Sequence, residues 1–337
     1  MANNVQAGVV GCGWAGSVHA EAYKRNPAIQ LAAVCDEDIN RATQLASRMG
    51  CRAYADLSQM LKKESMQMVS ITSPADRRAE FGMQCLEHGI AVFCEKPIST
   101  NLQDATKLVR LAEEKKLPLG VNFNRRFATG YVKARNLLLS DEPIHFINVV
   151  LAQNIPPSHI QKLRNGFPED FLMTDSCAHL LDLVMFLSGE EISDITALGQ
   201  RAKDSSLWTD IQIGFHLSGG GVGSILCSLA GPEWGQLPIE RLDIATSTRR
   251  IIVRNINQEV VWFGHNDTVS HSWTPSVFTP VGYVDSIITS ISTWAKAVID
   301  GKPSPVSGEE GLRNAQLCEE VLGELRRKEK KTYRHGR

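Results

Sequence analysis

"VVGCGWAG", Val9 to Gly16, carries two β-branched residues straight into three glycines in G-x-G-x-x-G order. The run "VQAGVV" that ends in it has the unbroken apolar character of a strand buried on both faces. Behind it, "GSVHAEAYKRN" places its apolar residues at helical spacing. Strand, glycine turn and helix in that order meet three demands together: a tight turn, close backbone approach to a diphosphate, and close helix–strand packing. The diphosphate would rest on the N–H groups at the helix start. Gly11, Gly13, Trp14, Ala15 and Gly16 are therefore candidate cofactor contacts. A glycine-rich turn that binds nothing has the same pattern, so the context has to discriminate.

That context begins with "IQLAAVC", a second strand that ends at Asp36, 20 residues after Gly16. An acid there accepts hydrogen bonds from the adenosine ribose of NAD and repels the 2′-phosphate of NADP. NAD is favoured over NADP, and Arg41 nearby softens the preference. "QMVSIT", "IAVFC" and "PLGVNF" continue the strands, separated by amphipathic segments of helical length. The alternation predicts a doubly wound parallel sheet, a Rossmann domain over residues 1–124. Ligands of such sheets collect at the carboxyl edge. Thr72, Ser73 and Pro74 leave a strand at that edge, although Ser73-Pro74 also reads as a helix start.

From residue 125 the rhythm changes. A helix over about 127–140 precedes "HFINVVLAQN", a polar loop with Pro156 and Pro157, and a helix over about 175–187. Then "DITALGQRA", "TDIQIGFHL", "GVGSILCSLA", "RLDIATST", "RIIVRNI" and "EVVWFG" follow as strands in series, before two closing helices over about 283–300 and 308–328. Neighbouring strands in series predict a large, mostly antiparallel open sheet flanked by helices, an α+β substrate-binding and oligomerisation domain over 125–337.

Two stretches carry reactive groups. "AVFCEKPIST", Ala91 to Thr100, turns from a buried strand to Glu95, Lys96 and Pro97 at the carboxyl edge. Charges there are costly unless paired or used, though a surface pair ahead of a helix capped by Ser99 or Thr100 reads equally well. "FLMTDSCAHLLDLVMFLSG" sets Asp175 and His179 four apart on one helix face, with Asp182 beyond. A carboxylate beside an imidazole tunes it for proton transfer, while no third ligand with recognisable spacing suggests a metal.

Composition narrows the classes further. The formal net charge is −1, which offers no field for nucleic acid or an anionic membrane, and the basic tail "ELRRKEKKTYRHGR" reads as a solvated helix end. No apolar run reaches the ~18–20 residues of a membrane helix, and the N-terminus lacks a signal-peptide layout. The eight cysteines are scattered without a C-x-x-C pair, so free buried thiols in a reducing cytoplasm are expected.

Taken together, "GVVGCGWAGSVHAEAY", Asp36, "CEKP", "NFNRRF" and the D-x-x-x-H-x-x-D of Asp175, His179 and Asp182 resemble the Gfo/Idh/MocA oxidoreductases, relatives of glucose–fructose oxidoreductase and inositol dehydrogenase. The resemblance covers nearly the whole chain and includes the ending "YVDSIITSISTWAKAVIDGKPSPVSGEEGLRNAQLCEEV". It implies that Lys96 is an active-site lysine, with Asp175 and His179 the catalytic pair of the second domain. It implies that Glu95 and Arg125 stand near the cofactor, and Asn124, Arg126 and Tyr283 near substrate. Cys177 replaces the usual glycine between Asp175 and His179, and Arg78 stands where many relatives have histidine.

The implied substrate is a sugar, cyclitol, polyol or sugar derivative. Arg125, Arg126 and Arg164 would allow an acidic or phosphorylated sugar, or serve cofactor or fold. A hydrolase working by transient oxidation and elimination, or a non-catalytic NAD-binding protein, shares the same motifs. A like subunit covering the open sheet would make a homodimer or homotetramer.

Overall fold

The computed structural model describes residues 4–138, 142–153, 169–203, 205–229, 239–256, 259–276, 279 and 282–335, with side chains up to residue 329. Arg164, Pro156 and Pro157 lie outside the described residues. The chain divides into two compact units, Met1–Asn124 with Tyr283–Gln316, and Arg125–Gly282 with Leu317–Arg337.

In the first unit the apolar runs become β1 (Val5–Val10), β2 (Ile29–Cys35), β3 (Arg52–Tyr54), β4 (Met68–Ile71), β5 (Ala91–Cys94) and β6 (Leu119–Val121). They form one parallel sheet in the order β3-β2-β1-β4-β5-β6. The connecting helices are α1 (Trp14–Arg25), α2 (Ile39–Met49), α3 (Leu57–Lys63), α4 (Ala75–Glu87) and α5 (Leu102–Lys115). Asp38, Asp56 and Asn101 cap α2, α3 and α5, each accepting a backbone N–H two or three residues on. The order reverses between β1 and β4, so the carboxyl ends of these two strands flank the crevice where such sheets bind ligands. β3 and α3 went unforeseen because a three-residue edge strand shows too little periodicity.

The sequence pattern predicts a single division, between residues 124 and 125, whereas Tyr283–Gln316 also groups with the first unit. α8 (Tyr283–Ile299) belongs with the first unit, because its apolar face buries Ile287, Ile291 and Trp294 in the same core as β1, β2 and α1. The Trp294 ring stacks on Phe93 of β5 at 4.9 Å. Only glycine at 120 leaves room for it, since a β-carbon there would lie 2.5 Å from the indole.

The second unit is an eight-stranded sheet built from β7 (Ile144–Ala152), β8 (Ile192–Arg201), β9 (Trp208–Leu217), β10 (Val222–Ser228), β11 (Ile239–Thr246), β12 (Arg249–Arg254), β13 (Glu259–Gly264) and β14 (His271–Trp273). Its order is β14-β13-β12-β11-β7-β10-β9-β8, antiparallel except where β7 meets β10. One face buries Ile147, Val149, Ile213 and Ile225 with α7 (Ala178–Ser188) and the later turns of α9 (Gly308–His335). α6 (Thr129–Leu137) packs with β12 and β13. The opposite face leaves Val222 and Phe263 exposed, as strand alternation requires.

All eight cysteines are free thiols, and burial pushes Cys12, Cys35 and Cys94 up to about 12. Among the described residues no helix is long and apolar enough to cross a membrane.

Trp294→Ala removes one of the largest fully buried side chains. It should destabilise the first unit by about 3–5 kcal/mol, read as a lower urea midpoint by far-UV circular dichroism.

Candidate active site

The glycine turn is held by its neighbours. Gly11 sits at φ +97°, a conformation that side chains disfavour, and its N–H reaches the Cys35 carbonyl at 2.7 Å. The Thr72 hydroxyl donates to the carbonyls of Val10 at 3.0 Å and Gly11 at 2.8 Å. A β-carbon on Gly16 would lie 1.9 Å from the Gly11 carbonyl oxygen, whereas one on Gly13 would meet nothing within 4 Å. α1 then starts without a side-chain cap and without an acid in its first turn. An open turn facing an uncapped helix start fits a diphosphate. Trp14 is largely exposed there.

Asp36 leaves β2 beside this turn. Its carboxylate accepts the Cys12 N–H at 2.7 Å and the Asp38 N–H at 2.9 Å, which fixes its orientation and leaves lone pairs for further donors. It lines a cleft of about 530 Å³ with Gly11, Ser73, Pro74 and Arg41. Arg41 is engaged with Asp38 at 3.4 Å. Arg77, which the sequence reading did not single out, lies 5.0 Å over the Phe81 ring and pairs with Glu80 at 2.9 Å and Glu37 at 3.7 Å. These residues suit the adenosine half of a nicotinamide dinucleotide, with ribose hydroxyls donating to Asp36.

At the end of β5, the Lys96–Pro97 peptide is cis. Glu95 is no surface acid. One of its oxygens meets His19 Nε2 at 3.1 Å and the Asn122 amide at 2.8 Å, and the other accepts the Lys96 N–H at 3.2 Å. Burial raises the Glu95 carboxyl, but the His19 hydrogen bond and charge, the Arg78 charge and the Asn122 amide outweigh it and hold the group down to about 2. Arg78 donates to the Pro97 carbonyl at 2.7 Å, and burial lowers its own pKa. His19 and Asn122 escaped the sequence reading because nothing local links them to Glu95, which lies 76 residues beyond His19.

In the first unit, Asn124 spends its side-chain amide on Ser286 at 2.7 Å, and Ser286 donates to the Tyr283 carbonyl at 2.7 Å. Tyr283 itself is exposed.

In the second unit, Asp175 does not lie on a regular α-helix. Met173–Cys177 form a π-turn, in which Ala178 N–H bonds back to the Met173 carbonyl five residues earlier, and α7 continues from it. Such turns often occur at functional sites. Asp175 is exposed, whereas His179 is buried. The Ser176 hydroxyl reaches Asp175 at 3.3 Å and receives the Gln153 amide at 2.8 Å, so two residues missing from the sequence reading help to orient that carboxylate.

Asp182 has a different role, accepting two Arg126 nitrogens at 2.8 and 2.6 Å. Arg125 gives two nitrogens to Glu240 at 3.0 Å each, and Tyr131 adds a hydroxyl. Both arginines are buried.

Residues 5–123 match the model of an oxidoreductase family with an NAD-binding Rossmann fold. This segment belongs to the Gfo/Idh/MocA oxidoreductase family. This oxidoreductase is 25% identical over 329 residues to the myo-inositol 2-dehydrogenase of Thermotoga maritima, spanning 91% of this chain and 92% of that one. Its fold matches the UDP-N-acetylglucosamine 3-dehydrogenase of Acidithiobacillus ferrooxidans with a TM-score of 0.82 at 21% identity, over 96% of this chain and 98% of that one. An oxidoreductase of Agrobacterium radiobacter, solved with NAD+, L-tartaric acid and magnesium, matches with a TM-score of 0.86 at 20% identity, over 96% of each chain.

Two outcomes follow from these buried pairs. Asp182→Leu leaves the Arg126 guanidinium buried without its carboxylate and should cost about 3–5 kcal/mol in urea denaturation. Glu95 has a folded value below the ordinary 4.5, so its contribution is present above that pH and is lost as pH falls toward 2. It amounts to about 3 kcal/mol. The stability gap between the protein and Glu95→Gln should therefore narrow across that window, as measured by urea titrations at stepped pH.

Proposed function

We propose that this chain is an NAD-dependent dehydrogenase that oxidises a secondary hydroxyl of a sugar, cyclitol, polyol or sugar derivative. The observation that carries the reading is the open glycine turn beside a carboxylate fixed by two backbone N–H groups, Cys12 and Asp38 on Asp36. The charge around the cleft supports NAD over NADP. Asp36, Glu37, Asp38, Asp56 and Glu80 line it against Arg41 and Arg77, and both arginines are paired with those acids. A 2′-phosphate would meet that excess of negative charge.

Bound NAD supplies the hydride acceptor. In this reading His179 takes the hydroxyl proton, and Asp175 orients it and accepts a neighbouring hydroxyl. Lys96 hydrogen-bonds the reacting oxygen and stabilises the charge that develops on it. Exchange of the Lys96 and His179 roles uses the same residues. A substrate with adjacent hydroxyls is supported by the named relatives, one acting on inositol and one on a UDP-linked amino sugar. Tyr283 and Asn124 remain candidates for contacts with it. The carboxylates already bound by Arg125 and Arg126 favour a scaffolding role for both. Val222, Ile239 and Phe263 on the outer sheet face support a homodimer or homotetramer, and the eight free thiols support a reducing cytoplasm.

The test is NAD+ and NADP+ reduction across inositols, aldoses, sugar acids and sugar phosphates. Steady NADH formation from a free polyol or sugar is expected, with NADP+ slower. Lys96→Met and His179→Ala should each lower kcat by ~10²–10⁴-fold. Near-normal turnover in either variant sinks that residue's assignment. Absence of NADH with every free sugar, alongside cleavage of a glycoside, would establish the hydrolase instead.

A further inference from the structure

We propose that His19 is a positioning residue for Lys96, acting through the Glu95 carboxylate; the proposal rests on the reading of Lys96 as catalytic. His19 lies on α1, one turn past Gly16, with its ring fully buried. Its Nε2 meets Glu95 at 3.1 Å, and because the ionised carboxylate only accepts, Nε2 is the donor. The opposite oxygen of Glu95 accepts the Lys96 N–H at 3.2 Å. A single carboxylate thus joins the helix behind the glycine turn to the backbone that bears the lysine. Asn122, just beyond β6, gives the same carboxylate a second donor at 2.8 Å. On the far side of Lys96, Arg78 of α4 holds the Pro97 carbonyl at 2.7 Å.

The arrangement is more than a buried ion pair before a turn. A buried carboxylate and imidazole often add little stability over apolar residues of similar size, so stability alone does not account for the arrangement. Here the Glu95 carboxylate and the Arg78 guanidinium are spent on the peptide groups that flank one side chain. α1 also carries the helix start that fits a diphosphate, so the same helix serves the cofactor at its first turn and the lysine one turn later. Loss of the His19 donor leaves that oxygen to Asn122 alone and loosens the carboxylate, so the Lys96 peptide has a less fixed acceptor. Misplacement of a catalytic group by about 1 Å is enough to cost about 10²-fold in rate.

The test compares the full chain with His19→Leu, His19→Gln, Glu95→Gln and Lys96→Met. Three readouts are needed: kcat and KM with the best polyol of the screen, NADH affinity by fluorescence titration, and amide hydrogen exchange of the peptide spanning residues 94–98. His19→Leu should lower kcat by about 10–100-fold while KM and the NADH Kd move by less than about 3-fold. Exchange in that peptide should quicken by at least about 10-fold. His19→Gln keeps a donor near Nε2 and should recover most of both losses.

A folded His19→Leu protein with unchanged turnover and exchange overturns the proposal, and so does a His19→Gln protein as impaired as His19→Leu. If His19→Leu does not fold, Glu95→Gln decides by the same two readouts, and unchanged values again overturn it. Retained activity in Lys96→Met would refute the catalytic reading alone, since the exchange data still report whether His19 holds the peptide.

Discussion

A carboxylate taken out of water remains an anion only where donors occupy its lone pairs, because desolvation costs several kcal/mol per ion even after relaxation. The nearly buried Glu95 and the buried Asp182 and Glu240 are examples that meet that condition. Glu95 is answered by His19, Asn122 and the Lys96 N–H, Asp182 by two nitrogens of Arg126, and Glu240 by two of Arg125 and the Tyr131 hydroxyl. Their partners stand 76, 56 and 115 residues away for His19, Arg126 and Arg125. None of these pairs forms until the strands and helices that carry them are in register. Removal of one partner leaves the other charged and buried, so each pair penalises a mispaired chain. Two of them also adjoin the residues proposed for chemistry: Glu95 precedes Lys96, and Asp182 lies three residues beyond His179 on α7.

The acids of D-x-x-x-H-x-x-D show how burial divides labour that a motif cannot. Asp175 and Asp182 have identical side chains. The first is exposed on a π-turn, where the Ser176 hydroxyl reaches it at 3.3 Å. The second is fully buried in a bidentate clamp with fixed geometry. The basic pair divides less sharply. Arg125 and Arg126 read in sequence as groups for cofactor or substrate, yet both place a guanidinium fork on a buried acid. An arginine so engaged is a rigid strut, with its fork committed to matching one carboxylate rather than searching for another.

What was legible in the sequence was local. The strand–turn–helix at Val9–Gly16, the acid at Asp36 and the switch from alternating strands and helices to strands in series are patterns within a few dozen residues, and the two sheets follow them. Lys96 and the pair Asp175 and His179 stood out as candidates through a family pattern, although their exposure and partners did not. The rest depended on contacts between distant segments. Nothing near Trp294 indicates that its indole fills the space opposite Gly120, so the return of α8 to the first unit was hidden. The π-turn was hidden as well, because a helix wheel drawn at 3.6 residues per turn has no place for the extra residue. Glu95 was ambiguous for the same reason: a surface pair and a buried network have the same four letters.

The cleft beside Asp36 separates strong electrostatic control from weak. Arg41 and Arg77 are largely exposed, and ion pairs in that setting are worth under about 1 kcal/mol, so either arginine can leave its acid for a better anion. Their pairing alone therefore sets no firm barrier to a 2′-phosphate. Asp36 differs in kind. Each of its oxygens is already fixed by a backbone N–H, from Cys12 on one side and Asp38 on the other, and neither donor can move without disturbing the glycine turn or the cap of α2. The carboxylate can neither rotate away from a phosphate nor escape through a rotamer change. In the proposed reading, discrimination in the cleft rests most on Asp36, which two backbone N–H groups hold at the end of β2, and the mobile charges around it adjust the margin.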